Sequence, residues 1–343
     1  MAYISFQPSD YFNPLKWDGT GASNALTGVG FEPNATWIKS RDGGYQHELY
    51  DSVRGVEKYI SPNDNDAEAT DAEGLNAFGA DGFTVGTRDQ VNQSSKTYIS
   101  WNWKAGTTTG VDFSGGDITP SAYSINTTSG FGIYKFAGTN QAATMAHGLG
   151  ATPGLIIVKR ISTTGNWATY HQGTGNTKAL VLDTNAVADT STLYWNDTSP
   201  TSTLFSLSTY TNTDATGIVA YVWAEKSGYS KFGSYSGNGN ADGVFVYTGF
   251  RPAVVICKRI TPANNWIIFD DRRNPYNFTN KVLYPSTDGT EDTETTGNGI
   301  DIVSNGIKFR GDGGMTNAAN DFVYMAWAEF PTISSNDVPG VAR

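Results

Sequence analysis

GFRPAVVICKR, Gly249 to Arg259, sets a proline and a short apolar run against two cations, and the same phrase stands at two other places in the chain. GFEPNATWIKSR begins at Gly30 and GATPGLIIVKR at Gly150, and in each phrase lysine follows proline by six positions: Pro33 to Lys39, Pro153 to Lys159, Pro252 to Lys258. Eight residues past the lysine lie His47, Trp167 and Trp266; twelve past it lie Asp51, His171 and Asp270. The fifteenth position holds Arg54, Thr174 and Arg273. Each stretch then ends in an aromatic run closed by Trp103, Trp223 and Trp327, which are 70, 70 and 75 residues past their prolines. Upstream, Gly19, Gly138 and Gly237 stand 14, 15 and 15 residues before the same prolines. So many shared offsets are the signature of an internal triplication.

Within that pattern the proline fixes how a strand begins, at a point where a missing N–H costs no ladder bond. LIIV and AVVIC are apolar runs of the length of a fully buried strand, and the cations are expected where the chain leaves the core. Pro33, Pro153, Pro252, Lys39, Lys159, Lys258, Trp103, Trp223 and Trp327 are therefore read as repeat-equivalent scaffold positions.

β-rich runs recur along the chain, in GIYKF, ALVLD, LFSLS, IVAYVW, GVFVYTG, WIIFD and FVYMAW, with gaps filled by Gly, Asn, Asp, Ser and Thr. The 39 glycines favour tight turns over long helices. Only Ala67 to Phe78 could make a short helix, and Gly74 interrupts it. The expected fold is all-β: three tandem pseudo-repeats, each a small antiparallel β-sandwich or jelly-roll-like unit, preceded by an extended N-terminal arm. The expected divisions are an arm over 1–15, repeats over 16–106, 131–228 and 229–331, a Gly/Ser/Thr-rich linker over 107–130 and a tail over 332–343.

Composition narrows the function. A chain of 343 residues with net charge −10 and scattered cations should repel nucleic acid and anionic lipid. Its 13% aromatic content, with 16% charged residues, is the opposite of a disordered composition. No apolar stretch approaches the ~18 residues of a membrane span, so no membrane insertion is expected. MAYISFQPSD has neither the basic nor the apolar region of a secretory signal. Cys257, the single cysteine, can form no intramolecular disulfide and reads as a small buried residue in a protein folded in a reducing cytosol.

The usual catalytic patterns are missing: no HExxH, no GxSxG, no Walker phosphate loop. His47, His147 and His171 read as surface or packing residues. The acidic segments Asn63 to Gly74 and Asp288 to Gly299 carry ligand types suited to calcium but fail the EF-hand template, and read as solvated loops. DDRRNPY, from Asp270, reads as a turn tied by Asp to Arg pairs. No catalytic residue, cofactor or metal ligand is therefore nominated. Trp195, with its neighbour Tyr194, falls outside the repeat pattern in a turn-rich stretch, and is the tryptophan nominated to stack on a glycan.

Several long phrases carry a family resemblance: GVGFEPNATWIKSR, LYDSVRGVEKYIS, ATDAEGLNAFGADGFTVGT, YWNDTSPTS and SKFGSYSGNGNADGVFVYTGFRP. Over about residues 1–330 the chain resembles an uncharacterised repeated domain of virion structural proteins, often labelled tail-fibre-like, of tailed bacteriophages from marine and aquatic settings. The resemblance implies a virion component rather than an enzyme, with no catalytic residues to carry over. His47, where the other copies have tryptophan, departs from any site built around Trp167 and Trp266. The function expected is a structural protein displayed on the virion surface after folding in the host cytoplasm, as a fibre or a head or tail decoration. Its expected partners are other virion proteins, itself as a homo-oligomer such as a trimer, and a host surface glycan. A lectin-like glycan-binding module is the alternative, and a polysaccharide depolymerase the more remote one.

Overall fold

A computed structural model describes residues 4–331, and they form an all-β protein built from antiparallel sheets. Three large sheets repeat one strand order. In the first, the sequence of neighbours is Phe12–Asp18, Thr97–Trp103, Ala35–Ser40 and Glu48–Asp51. In the third it is Ser230–Ser236, Asp321–Pro331, Phe250–Arg259 and Ile267–Asp270. The second keeps Phe131–Phe136, Ile218–Ala224, Pro153–Arg160 and Ala168–His171 in the same order and adds strands at both edges. Each central pair joins a strand carrying the late tryptophan to a strand carrying the early lysine. Both are buried along most of their length, and in the second and third sheets they are the near-continuous apolar runs that burial on both faces requires.

Side chains alternate across a strand, so each tryptophan strand feeds two cores. Ile99, Trp101 and Trp103, with Val219, Tyr221 and Trp223, and Val323, Met325 and Trp327, enter one cluster shared by all three sheets. The residues between them face outward: Ala220 and Val222 into a second cluster, Tyr324 and Ala326 into a third. Each outer face is roofed by a small sheet: Asn24–Thr27 with Gly82–Val85 and Leu75–Gly79; Ala143–Ala146 with Leu204–Leu207; Asp242–Tyr247 with Gly306–Arg310 and Gly299–Val303. Every segment is thus a pair of sheets, and the largest core lies between the segments rather than within any one of them.

Three expectations change. The proposed linker is packed structure: Ala122–Asn126 pairs with Phe131–Phe136, and Phe113, Ile118 and Ile125 are buried in the second segment's outer core. Its Gly/Ser/Thr-rich composition concealed these three apolar residues, which hold it against the sheet. The arm over 1–15 ends inside the first sheet, whose edge strand starts at Phe12 and tolerates Pro14 because edge positions do not all need an N–H. The helix weighed over Ala67 to Phe78 is instead a two-residue strand, Ala69–Thr70, a turn, and the strand Leu75–Gly79. There Gly74 sits against the Tyr50 hydroxyl, with no room for a side chain. Among the described residues helix is confined to single turns at Asp89–Asn92 and Thr192–Trp195, with a 3-10 turn at Pro8–Asp10. The tail over 332–343 lies outside the described residues.

Candidate functional site: the three junctions

The residues singled out by shared offsets meet where one segment touches the next. Pro153 and Pro252 sit at register irregularities opposite Ala224 and Ala328, and Pro33 precedes Asn34, whose N–H bonds the Trp103 carbonyl at 2.9 Å. The lysines do not mark an exit from the core: Lys39, Lys159 and Lys258 are fully buried. Their ammonium groups donate to backbone carbonyls. Lys39 reaches Ser40 at 2.9 Å and Gly43 at 3.1 Å. Lys159 reaches Arg160 at 2.8 Å and, across the junction, Asn65 at 3.2 Å. Lys258 reaches Asn264 at 2.8 Å, Arg259 at 3.1 Å and, across the next junction, Asn185 at 3.4 Å. Burial pushes each amine down to about 8. For Lys159 and Lys258 a sequence cannot show this, because one of the carbonyls that hold the amine lies 94 and 73 residues away.

Eight residues on, the Trp167 indole N–H donates to the Ser61 and Asp64 carbonyls, both at 2.9 Å, and Trp266 donates to Val181 at 2.9 Å. His47 takes the same place at the junction of first and third segments. Its Nδ1 accepts from Trp37 at 2.9 Å, while its Nε2, near the Tyr284 and Thr287 carbonyls, completes no hydrogen bond among the described residues. Ser61, Val181 and Tyr284 each stand three residues past a lysine (Lys58, Lys178, Lys281), so three different loops present one geometry. The backbone repeats it. Glu68 N–H bonds the Ile161 carbonyl at 2.8 Å, Ala188 bonds Ile260 at 3.1 Å and Glu291 bonds Arg41 at 2.6 Å. First joins second, second joins third, and third joins first: the segments close into a ring.

Twelve residues on lie the ionisable members. Asp51 accepts from the backbone of Val53 and Arg54, from Arg54 Nε at 2.5 Å and from the Tyr221 hydroxyl at 2.5 Å. Asp270 accepts from the backbone of Arg272 and Arg273, from Arg273 Nε at 2.5 Å and from the Trp101 indole at 3.3 Å. The DDRR turn is therefore tied as the sequence suggests. Arg54 and Arg273 also bond the Leu49 and Ile268 carbonyls and pair with Glu68 and Glu291. The second segment replaces this ion pair with a neutral contact: His171 Nδ1 accepts from Gly173 N–H at 3.0 Å, and its Nε2 donates to the Tyr324 carbonyl at 3.1 Å. His147 is built alike, between Leu149 N–H and the Thr201 carbonyl. All three histidines are fully buried, not surface residues.

On the axis of the ring, Trp103, Trp223 and Trp327 form a triangle with centroids 6.0, 5.4 and 5.7 Å apart, each pair meeting edge to face. Their indole N–H groups have no hydrogen-bond partner among the described residues. Leaving a buried donor unpaired costs about 1–3 kcal/mol, so packing rather than hydrogen bonding holds these rings. Beneath them lies an apolar cavity of ≈ 30 Å³, walled by residues of all three segments including Trp37, Trp167 and Met325.

The glycan-stacking nomination fails. Trp195 is 1% exposed, its indole N–H bonds the Lys178 carbonyl at 3.1 Å, and Tyr170 packs edge-on against it. Tyr194 is also buried, its hydroxyl bonded to Asp189. The signal was present but missed: Ser191 caps the helical turn Thr192–Trp195, and Asn196 stops it in the left-handed conformation, which turns both rings inward. The acidic segments are not simple solvated loops either. Glu68 pairs with Arg54 and Lys58, Asp71 with Arg88, and Glu291 with Arg41 and Arg273. No group of three or more potential metal ligands occurs among the described residues.

Neutral histidines locked at the junctions make stability depend on pH. His171 is pushed down to about 4 and His47 well below its ordinary value, in both cases first by burial. The unfolded chain therefore binds more protons between about pH 4 and the ordinary histidine value of ~6.5, so stability rises with pH through that window and is lost as pH falls through it. Glu48 and Asp183, raised by burial, pull the other way just above the ordinary carboxylate range. The urea midpoint should climb from pH 4 to 6.5, and His171→Asn should remove of the order of 3 kcal/mol of that climb. An identical profile in the variant would refute the assignment.

Fold and junctions together define an all-β protein whose segments are held to one another by buried hydrogen bonds and ion pairs. The chain belongs to the family described as Domain of unknown function (DUF7483), which matches it over residues 7–331. No curated protein and no solved structure matches it.

Proposed function

We propose that the chain is a bacteriophage virion structural protein, displayed on the particle surface as a fibre or a head or tail decoration, acting by non-covalent assembly. The carrying observation is the threefold repetition of the junction. The acids, bases and lysines at shared offsets are consumed in holding the ring shut, as suits a part that must endure rather than turn over. The resemblance of the chain's long phrases to phage virion domains is the other ground for this reading. Other virion proteins and further copies of the chain, in a trimer for a fibre, are the partners proposed. Immunogold labelling of intact particles made by the encoding genome tests this. Gold should decorate the exterior of capsid, tail or fibres, and label confined to lysed-cell debris would overturn the proposal.

A further inference from the structure

Each segment has an outer sheet, three-stranded in the first and third and two-stranded in the second, and among the described residues only the third segment's carries large exposed apolar side chains. In the third segment, Phe245 and Tyr247 lie two residues apart on one strand, so they share a face, and they are 49% and 56% exposed. Opposite them stand Lys308 and Gly306, and beyond those Asp301 and Val303. Ile307, Ile300 and Ile302 of the same strands point into the core, so the named face is the outer one. The Phe245 ring lies beside Gly306, where an added Cβ would run into the Val246 carbonyl oxygen and lie 2.8 Å from two ring carbons. Lys231 stands 5.7 Å from the Tyr247 ring centre.

The matching strands of the first segment bear Ala25 and Thr27 opposite Thr84 and Gly82, with Ala77 beyond. In the second, Thr144 pairs with Ser206 and is capped by Asp117. The scaffold thus folds with small neutral residues on this face. Aromatic rings and charges in the third segment answer some other need, since burying large apolar surface is favourable and exposing it is not.

We propose that this face binds a saccharide. Three strands ~4.8 Å apart and about five residues long offer roughly 200 Å², a quarter of the ~800 Å² per side that a stable protein interface buries. The size suits two or three sugar rings. Phe245 and Tyr247 supply surfaces for the apolar C–H faces of such rings. Lys308, paired with Asp242 at 2.7 Å, and Arg310, paired with Asp301 at 2.5 Å, fringe them with charged donors and acceptors for hydroxyls. The inference needs only this face and not a place on a virion, so it can fail or stand independently of the particle labelling.

The test is retention of the full chain on immobilised gluco-, xylo- and chito-oligosaccharides and on bacterial lipopolysaccharide, for wild type and for Phe245→Ala with Tyr247→Ala. Both positions are exposed, so the double variant should melt within a few degrees of wild type. At least one sugar should retain the wild type, with affinity falling at least tenfold in the double variant. No retention of the wild type, or equal retention of the variant, overturns the proposal. So does a double variant that instead changes oligomeric state in light scattering, which would make the face a contact between copies.

Discussion

Trp327→Ala is expected to lower the unfolding free energy by about 3–5 kcal/mol, the cost of emptying a large aromatic site in a well-packed core. Trp327 is 1% exposed and touches rings from every part of the ring: Trp103 at 5.4 Å, Phe12 stacked at 5.9 Å, Trp223 at 5.7 Å and Phe232 at 5.4 Å. A truncation there withdraws support from three sheets at once, so the loss should appear equally in all of them. Urea unfolding followed by far-ultraviolet circular dichroism and by tryptophan fluorescence measures it. Coincident transitions shifted to lower urea are expected; a loss below about 1 kcal/mol, or a separate transition for the third segment, would count against the shared core.

The second large effect is at the buried ion pair. Arg54 and Asp51 side chains are both 0% exposed, and the Tyr221 hydroxyl of the second segment adds a third partner to the carboxylate. Arg54→Ala strands a carboxylate in the interior and is expected to cost about 3–5 kcal/mol. Replacing both partners by apolar residues, Asp51→Leu with Arg54→Met, removes the stranded charge and should recover most of that loss. Chemical denaturation of the two variants separates the cases. A single variant as stable as wild type, or a double variant worse than the single, would show that the pair does not bear on the junction. The natural chain offers a comparison, because the second segment carries His171 and Thr174 at these positions and closes its junction without an ion pair.

Much of the fold was legible because strands obey a period of two. The aromatic runs closed by Trp103, Trp223 and Trp327 read as strands from sequence alone, the shared offsets aligned all three, and the period of two then sends Ile99, Trp101 and Trp103 to one face. What sequence could not show is where the inward face ends. The runs LIIV and AVVIC announce burial, but whether each segment closes on itself or on its neighbours depends on contacts between residues far apart in the chain, such as Asp51 with Tyr221, 170 residues on. The burial of the lysines is hidden in the same way, since an ammonium group is tolerated in a core only when backbone carbonyls surround it, and for Lys159 and Lys258 one of these comes from another segment.

Trp195 and Phe245 show the reverse error. A tryptophan outside the repeat pattern, in a turn-rich stretch, suggests exposure, yet a capped helical turn buries it. Phe245 and Tyr247, inside a run read correctly as a strand, carry the exposed surface. Alternation places them on one face but does not say which face is roofed. Only comparison with Ala25 and Thr27, once the sheets are superposed by their pairing, marks them as a departure from the scaffold.

Native-state hydrogen exchange in rising urea addresses the shared core most directly. If the three segments close on one core, the amides of Thr97–Trp103, Ile218–Ala224 and Asp321–Pro331 should converge on a single opening free energy equal to that of global unfolding. One of these strands opening alone, several kcal/mol below the other two, would contradict it.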